Sequence, residues 1–156
     1  MASSHRFLAI VALASLSACH AGGTSPAVAP APAAPEAAVQ EFLAAVDSNA
    51  LDRMAALWGT DRGPSTVVIR DSQSRERRLA IMQRLLQHDA FRFVSGSAGP
   101  AARPGRRVLY VELQRGERRA TVPFTVVGQR AGGWLVEGIG LDAVMPLANP
   151  RTGTPP

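Results

Sequence analysis

One cysteine, one tyrosine and three histidines carry most of the nucleophilic, phenolic and imidazole chemistry available to this chain. Cys19 stands directly after an apolar run, Phe7 to Ala18. A single cysteine excludes an internal disulfide framework and a cysteine-built zinc site. His5 lies ahead of the apolar run and His20 beside Cys19, which leaves His88 as the imidazole of the rest of the chain. His88 and Asp89 could suggest a base with its orienter, but adjacent helical residues point about 100° apart. A histidine in a last helical turn is favoured by the helix dipole, so a C-terminal cap is the expected role. Neither a Ser-His-Asp triad nor a histidine metal cluster is expected.

The remaining candidates are acids and arginines. Tyr110, Glu112 and Glu137 fall on the polar parity of extended segments. A buried carboxylate with a raised pKa near a proton donor would suit general-base work. The competing reading is that these side chains face solvent or pair across strands, Glu112 near Arg119. No catalytic residue is assigned. Two arginine groups, Arg75-Arg77-Arg78 and Arg103-Arg106-Arg107, could touch the phosphates of lipids or lipopolysaccharide. Against that stands a solvated basic face balanced by Asp71, Glu76, Glu112 and Glu117. The glycines form no nucleotide-binding loop motif.

Around these residues the chain has 156 positions, enough for one domain. With 46% hydrophobic and 19% charged residues it is neither wholly disordered nor a polytopic membrane protein. All 17 basic residues are arginine, so the net charge of +5 persists to very high pH without signalling strong basicity. The surplus is too small and too mixed in sign for a nucleic-acid partner. No cofactor or metal is expected.

Residues 1–18 read as a signal peptide, with Arg6 in a short charged region followed by an apolar stretch. From Phe7 to Ala18 a helix would reach about 18 Å, short of the roughly 30 Å hydrocarbon core. Leu16-Ser17-Ala18-Cys19 resembles the lipobox of bacterial lipoproteins. The resemblance implies cleavage between Ala18 and Cys19 and acylation of Cys19, hence a lipid bilayer as partner. Two or more acyl chains hold a protein stably on a membrane. His20, where an aspartate typically marks inner-membrane retention in that family, implies the outer membrane facing the periplasm.

Residues 19–35 form a tether in which proline alternates with alanine, favouring extended polyproline II. Residues 36–145 form the domain, and residues 146–156 a disordered Pro/Gly/Thr-rich tail. Pro35 suits a first helical turn. Val39, Phe42, Leu43 and Val46 make one apolar helical stripe, and Leu51, Met54, Ala55 and Trp58 repeat it. Asp47-Ser48-Asn49 is expected to break the first helix and cap the second. Gly59 stops that helix, Gly63-Pro64 turns, and Thr66 to Arg70 reads as extended. A third helix starts near Asp71 to Ser74, with Leu79, Met82, Leu85 and Leu86 inward.

Four strands follow: Phe91–Ser95, Arg107–Gln114, Arg118–Val127 and Trp134–Ile139. A two-residue turn at Gly116-Glu117 pairs Leu113 with Ala120, Val111 with Val122 and Leu109 with Phe124 on one apolar face. The other face pairs Glu112 with Thr121 and Gln114 with Arg119. Pro123 places its missing N–H at a bulge or edge.

Helices followed by an antiparallel meander give an α+β class. The segment EFLAAVDSNALDRMAALW resembles the opening of nuclear-transport-factor-2-like domains, including their SnoaL-like branch of polyketide cyclases and isomerases. The resemblance implies a cone in which a curved four-stranded sheet wraps the helices around an apolar pocket. Val39, Phe42, Leu109, Val111, Phe124 and Trp134 are its candidate lining. The expected function is non-catalytic: a membrane-anchored envelope lipoprotein binding a small apolar ligand or an envelope protein, with a homodimer as a further candidate assembly. The alternatives are an isomerase- or cyclase-like enzyme using Glu112 or Glu137, and a structural envelope spacer.

Overall fold

In the computed structural model, which describes residues 30–94, 99–100 and 103–148, helix α1 spans Pro35–Asp47. The leader with Ala18 and Cys19, the tether to residue 29 and the tail from residue 149 lie outside the described residues. Pro35 occupies the first helical turn, where its missing N–H costs nothing, and Glu36 complements the positive end of the dipole. Val39, Phe42, Leu43 and Val46 are fully buried, as their spacing requires. The helix closes with a Schellman motif. Asn49 adopts φ +52°, its N–H donates to the Val46 carbonyl at 3.2 Å, and the Ala50 N–H donates to the Ala45 carbonyl at 2.9 Å.

That closure corrects one expectation. Ala50, not the Asp47-Ser48-Asn49 segment, is the N-cap of α2 (Leu51–Leu57), and no side chain caps it. Asn49 is consumed in the left-handed turn that ends α1. Met54, Ala55 and Leu57 are buried, while Leu51 and Trp58 are half-buried. Trp58 leaves the helix in an extended conformation and forms a parallel bridge to Val136. Gly59 starts a two-stranded hairpin, β1 (Gly59–Thr60) with β2 (Gly63–Pro64). A Cβ at Gly59 would stand 2.3 Å from the Gly63 carbonyl oxygen, so only glycine fits.

The stretch expected to be extended at Thr66–Arg70 opens instead with a helical turn, α3 (Ser65–Val68). Ser65 decides this. It is fully buried; its hydroxyl donates to the Ala55 carbonyl at 2.8 Å and its N–H to the Trp58 carbonyl at 2.6 Å. These tertiary bonds outweigh the extended preference of Thr66-Val67-Val68. Helix α4 (Ser72–Leu86) is capped by Asp71, whose carboxylate accepts from the Gln73 and Ser74 N–H groups at 3.1 and 3.3 Å. Leu79, Met82 and Leu86 are buried and Leu85 half-buried. Gln83 joins them, its Nε2 donating to the Val46 carbonyl at 3.3 Å and so tying α4 to the end of α1.

The sheet is an antiparallel meander of β3 (Ala90–Phe93), β5 (Arg106–Arg115), β6 (Arg118–Gly128) and β7 (Trp134–Ile139), in that order. A fifth piece, β4 (Gly99–Pro100), pairs with β5 beyond the end of β3, inside what reads in sequence as loop. The register is the expected one: Leu113 opposite Ala120, Val111 opposite Val122, Leu109 opposite Phe124, with Glu112 opposite Thr121. Gly116 takes φ +58° at the first turn position, as a two-residue hairpin with glycine leading demands. Pro123 lies just past the last β6–β7 pair, its carbonyl accepting from the Gly140 N–H at 2.9 Å. Its nitrogen faces the same side, where no ladder partner remains.

Helices α1 and α2 pack on one face of the sheet and α4 packs against them, and Phe42 and Phe124 are the largest fully buried side chains. A 3₁₀ turn (Leu141–Val144) and a final helical turn, α5 (Met145–Ala148), complete that layer. Here the folded region runs three residues beyond the expected boundary at Met145, because Leu147 is an anchor in the core at 1% exposure. The end of the tether is also tied down: the Trp134 N–H donates to the Pro32 carbonyl at 2.8 Å. Among the described residues the core cluster runs from Val39 to Leu147, downstream of the tether.

Candidate functional site

Strand alternation presents Tyr110, Glu112 and Gln114 of β5 on the face of the sheet away from the helices. Leu109, Val111 and Leu113, their neighbours, are buried under the helices. Arg92 stands directly across from Glu112 on β3. Its Nε and Nη2 donate to the two Glu112 carboxylate oxygens at 2.8 and 2.9 Å, a fork-to-fork pair. Arg119 lies diagonally, with Nη1 3.9 Å from Glu112 Oε1. The Arg92 partner was legible in the alternation Phe91-Arg92-Phe93, which puts the guanidinium on the polar parity. The three charged residues line a shallow cleft of about 130 Å³ with Ala90, Phe91 and Gln114.

The Arg92 hydrogen bonds, which outweigh the partial burial of the carboxyl, hold Glu112 below the usual glutamate range. That is the opposite of what a desolvated general base requires. The pair is therefore stabilising where glutamate is ionised. A glutamate of the unfolded chain titrates near about 4.3. In a thermal melt, Glu112→Gln is expected to lower the midpoint by a full, constant amount above that pH. The difference should close as pH falls through the lower titration of folded Glu112. A gap that is unchanged in acid would show that the ion pair contributes nothing.

Glu137 is placed by a bulge. Val126 pairs with Val136 and Thr125 with Gly138, so Glu137 is left without a cross-strand partner. Its carboxylate accepts from Arg106 Nε and Nη2 at 2.5 and 2.6 Å, with both side chains about four-fifths covered. The Glu137 hydrogen bonds, with smaller help from the charges of Glu137 and Asp61, push the Arg106 guanidinium still higher. Tyr110 is 37% exposed, opposite Pro123. Each carboxylate is largely covered and is paired with an arginine.

His88 and Asp89 diverge. The His88 Nδ1–H donates to the Leu86 carbonyl at 3.0 Å, satisfying a helix-end acceptor, and the ring packs edge-on against Phe91. The Asp89 carboxylate accepts from the Gly116 N–H at 2.6 Å and steadies the β5–β6 turn. Among the described residues no group of three or more His, Cys, Asp or Glu could hold a metal ion.

Of the candidate pocket lining, Val39, Phe42, Leu109, Val111 and Phe124 are brought together as packed core, with Trp134 half-buried at its margin under Arg107. An open cleft of about 740 Å³ lies elsewhere, between the α1–α2 turn and the first half of α4; Asn49, Asp52, Gln73, Glu76 and Arg77 line part of it. The two arginine groups are split. Arg75 donates to the Ile69 carbonyl, Arg106 is bound to Glu137, and Arg107 lies 5.7 Å over the Trp134 ring. Arg77 and Arg78 stay exposed on α4. No helix among the described residues is long and apolar enough to cross a membrane. Compared with protein-family models, with curated proteins and with solved structures, the chain matches none of them.

Proposed function

We propose that this chain is a bacterial envelope lipoprotein, anchored through acylated Cys19, whose nuclear-transport-factor-2-like domain works by binding a protein partner rather than by catalysis. The anchor rests on Leu16-Ser17-Ala18-Cys19 after an apolar leader. The cone reading rests on the order of helices then antiparallel sheet, with the core on one face of the sheet. One observation carries the binding role: the sheet face away from the helices presents an exposed Tyr110 beside the Arg92–Glu112–Arg119 cluster. Tyrosine and arginine are the side chains that interfaces enrich. The Arg92 hydrogen bonds favour the ionised form of Glu112 on that face, which suits recognition and opposes proton abstraction. A small apolar ligand is the weaker occupant, since its candidate lining is packed against itself.

For the anchor, Cys19→Ala is expected to abolish incorporation of labelled acyl chains and to leave the leader uncut; continued labelling would refute it. For binding, crosslinking in the envelope is expected to capture one partner with the native chain and to lose it with Tyr110→Ala and Arg92→Ala. Capture unaffected by both variants would remove this face from consideration. Turnover that depends on Glu112 or Glu137 would overturn the non-catalytic reading.

A further inference from the structure

We propose that the outer face of α4 seats the domain on the surface of an anionic phospholipid bilayer. With a helical step of about 100° per residue, Arg77, Ile81 and Arg84 fall within about 60° of one another, directly opposite Leu79 and Leu86. Arg78 flanks them one step further round, within a turn of Ile81. Ile81 is 52% exposed, and on the helix surface it lies between Arg77 and Arg84 on one side and Arg78 on the other. Leu85, four residues on and half-buried, continues the apolar strip. Arg77, Arg78 and Arg84 have no ion-pair partner among the described residues, in contrast to Arg53, Arg92, Arg106 and Arg119.

Charge complementarity selects the occupant. On α4, Arg75, Arg77, Arg78 and Arg84 stand against Glu76 alone, so the helix holds most of a whole-chain surplus of +5. Glu76 points about 100° away from Arg77. Phosphate groups complement such a face, and the exposed isoleucine at its centre distinguishes among their sources. Against a nucleic-acid backbone Ile81 would desolvate phosphate for no return. At a bilayer it enters the boundary between headgroups and acyl chains while the arginines around it reach the phosphates. The proposal does not need the acyl anchor; with it, α4 determines which way the tethered domain lies on the membrane.

The test uses the chain from His20 to Pro156, which lacks the leader and Cys19 but carries all the core residues among those described. Flotation with vesicles of phosphatidylcholine and phosphatidylglycerol is expected to carry the protein up, and vesicles of phosphatidylcholine alone to leave it behind. Added salt should release it. Arg77→Ser/Arg78→Ser/Arg84→Ser is expected to weaken binding roughly 100-fold at low salt. Should that triple variant melt early, Ile81→Glu alone supplies the readout, since its side chain is exposed, and it should also lose binding. Release by inorganic phosphate but not by sodium chloride at the same ionic strength would indicate a site for free phosphate and overturn the bilayer proposal. Equal binding by both variants, no binding by the native chain, or binding to short duplex DNA but not to vesicles would each overturn it as well. Because Cys19 is absent, failure here leaves the anchor reading untouched.

Discussion

Val122→Asp is expected to abolish the cooperative unfolding transition, while Thr121→Asp, one residue earlier on the same strand, shifts the melting midpoint by only a few degrees. Val122 is fully buried opposite Val111, under α1 and among Leu109, Leu113 and Phe124. A carboxylate there meets no partner, and burying an uncompensated charge costs several kcal/mol or forces protonation. A domain of this size has about 5–15 kcal/mol of stability in all, so the variant has little margin. Thr121 is exposed on the other face beside Glu112, where substitutions usually change stability by about 0.5 kcal/mol. Circular dichroism melts of the two variants provide the check. Equal loss in both would mean that the register, and with it the assignment of the two faces, is wrong.

Arg115→Ala is expected to be the most damaging substitution of a partly exposed residue. The last carbonyls of a helix have no partner within it. Arg115, at the end of β5, supplies donors to that end of α4: its guanidinium bonds to the Gln87 carbonyl, to Leu85 at 3.1 Å and to Arg84 at 3.3 Å. It also reaches the Leu147 carbonyl at 3.5 Å, where Arg118 donates as well at 3.3 Å. One side chain therefore joins the sheet, α4 and the C-terminal turn. Hydrogen bonds from a charged donor are worth about 1.5–3 kcal/mol each, and truncation leaves several acceptors to water. A loss of about 2–3 kcal/mol is expected from the denaturant midpoint at unchanged slope. Arg115→Lys should recover little, because an ammonium cannot span the same fork. Arg119→Ala is the control: it is 61% exposed, and its pairing with Glu112 at 3.9 Å should contribute under about 0.5 kcal/mol. A loss as large in the control would show that Arg115 acts through charge alone.

The local pattern was enough for elements whose faces differ in polarity. Val39, Phe42, Leu43 and Val46 repeat at helical spacing, and their burial follows because only one face of α1 can meet the sheet. The β5–β6 register was legible for a related reason: a slip of one residue would move Val111 and Val122 into water and Glu112 into the core. Asp71 was readable as a helix start because its side chain acts within three residues of itself.

What sequence could not supply are interactions between distant segments. Ser65 turns α3 into a helix through carbonyls contributed by Ala55 and Trp58, and Gln83 sits at a core position because Val46 offers it an acceptor. Arg115 carries no local signal at all, since its partners lie about thirty residues away in either direction. The same holds for function. The arginines are equal as letters, but the fold gives Arg75 and Arg106 partners and leaves Arg77, Arg78 and Arg84 beside an exposed Ile81. Composition by itself determined the charge and the single thiol, the order of residues gave the apolar leader, and short-range periodicity determined the helices and the strand faces. Beyond the cross-strand pairing of Glu112, which the alternation allows, tertiary packing decided which charges are neutralised. A guanidinium chooses its partner within a few ångströms of space, and that distance has no counterpart in sequence spacing.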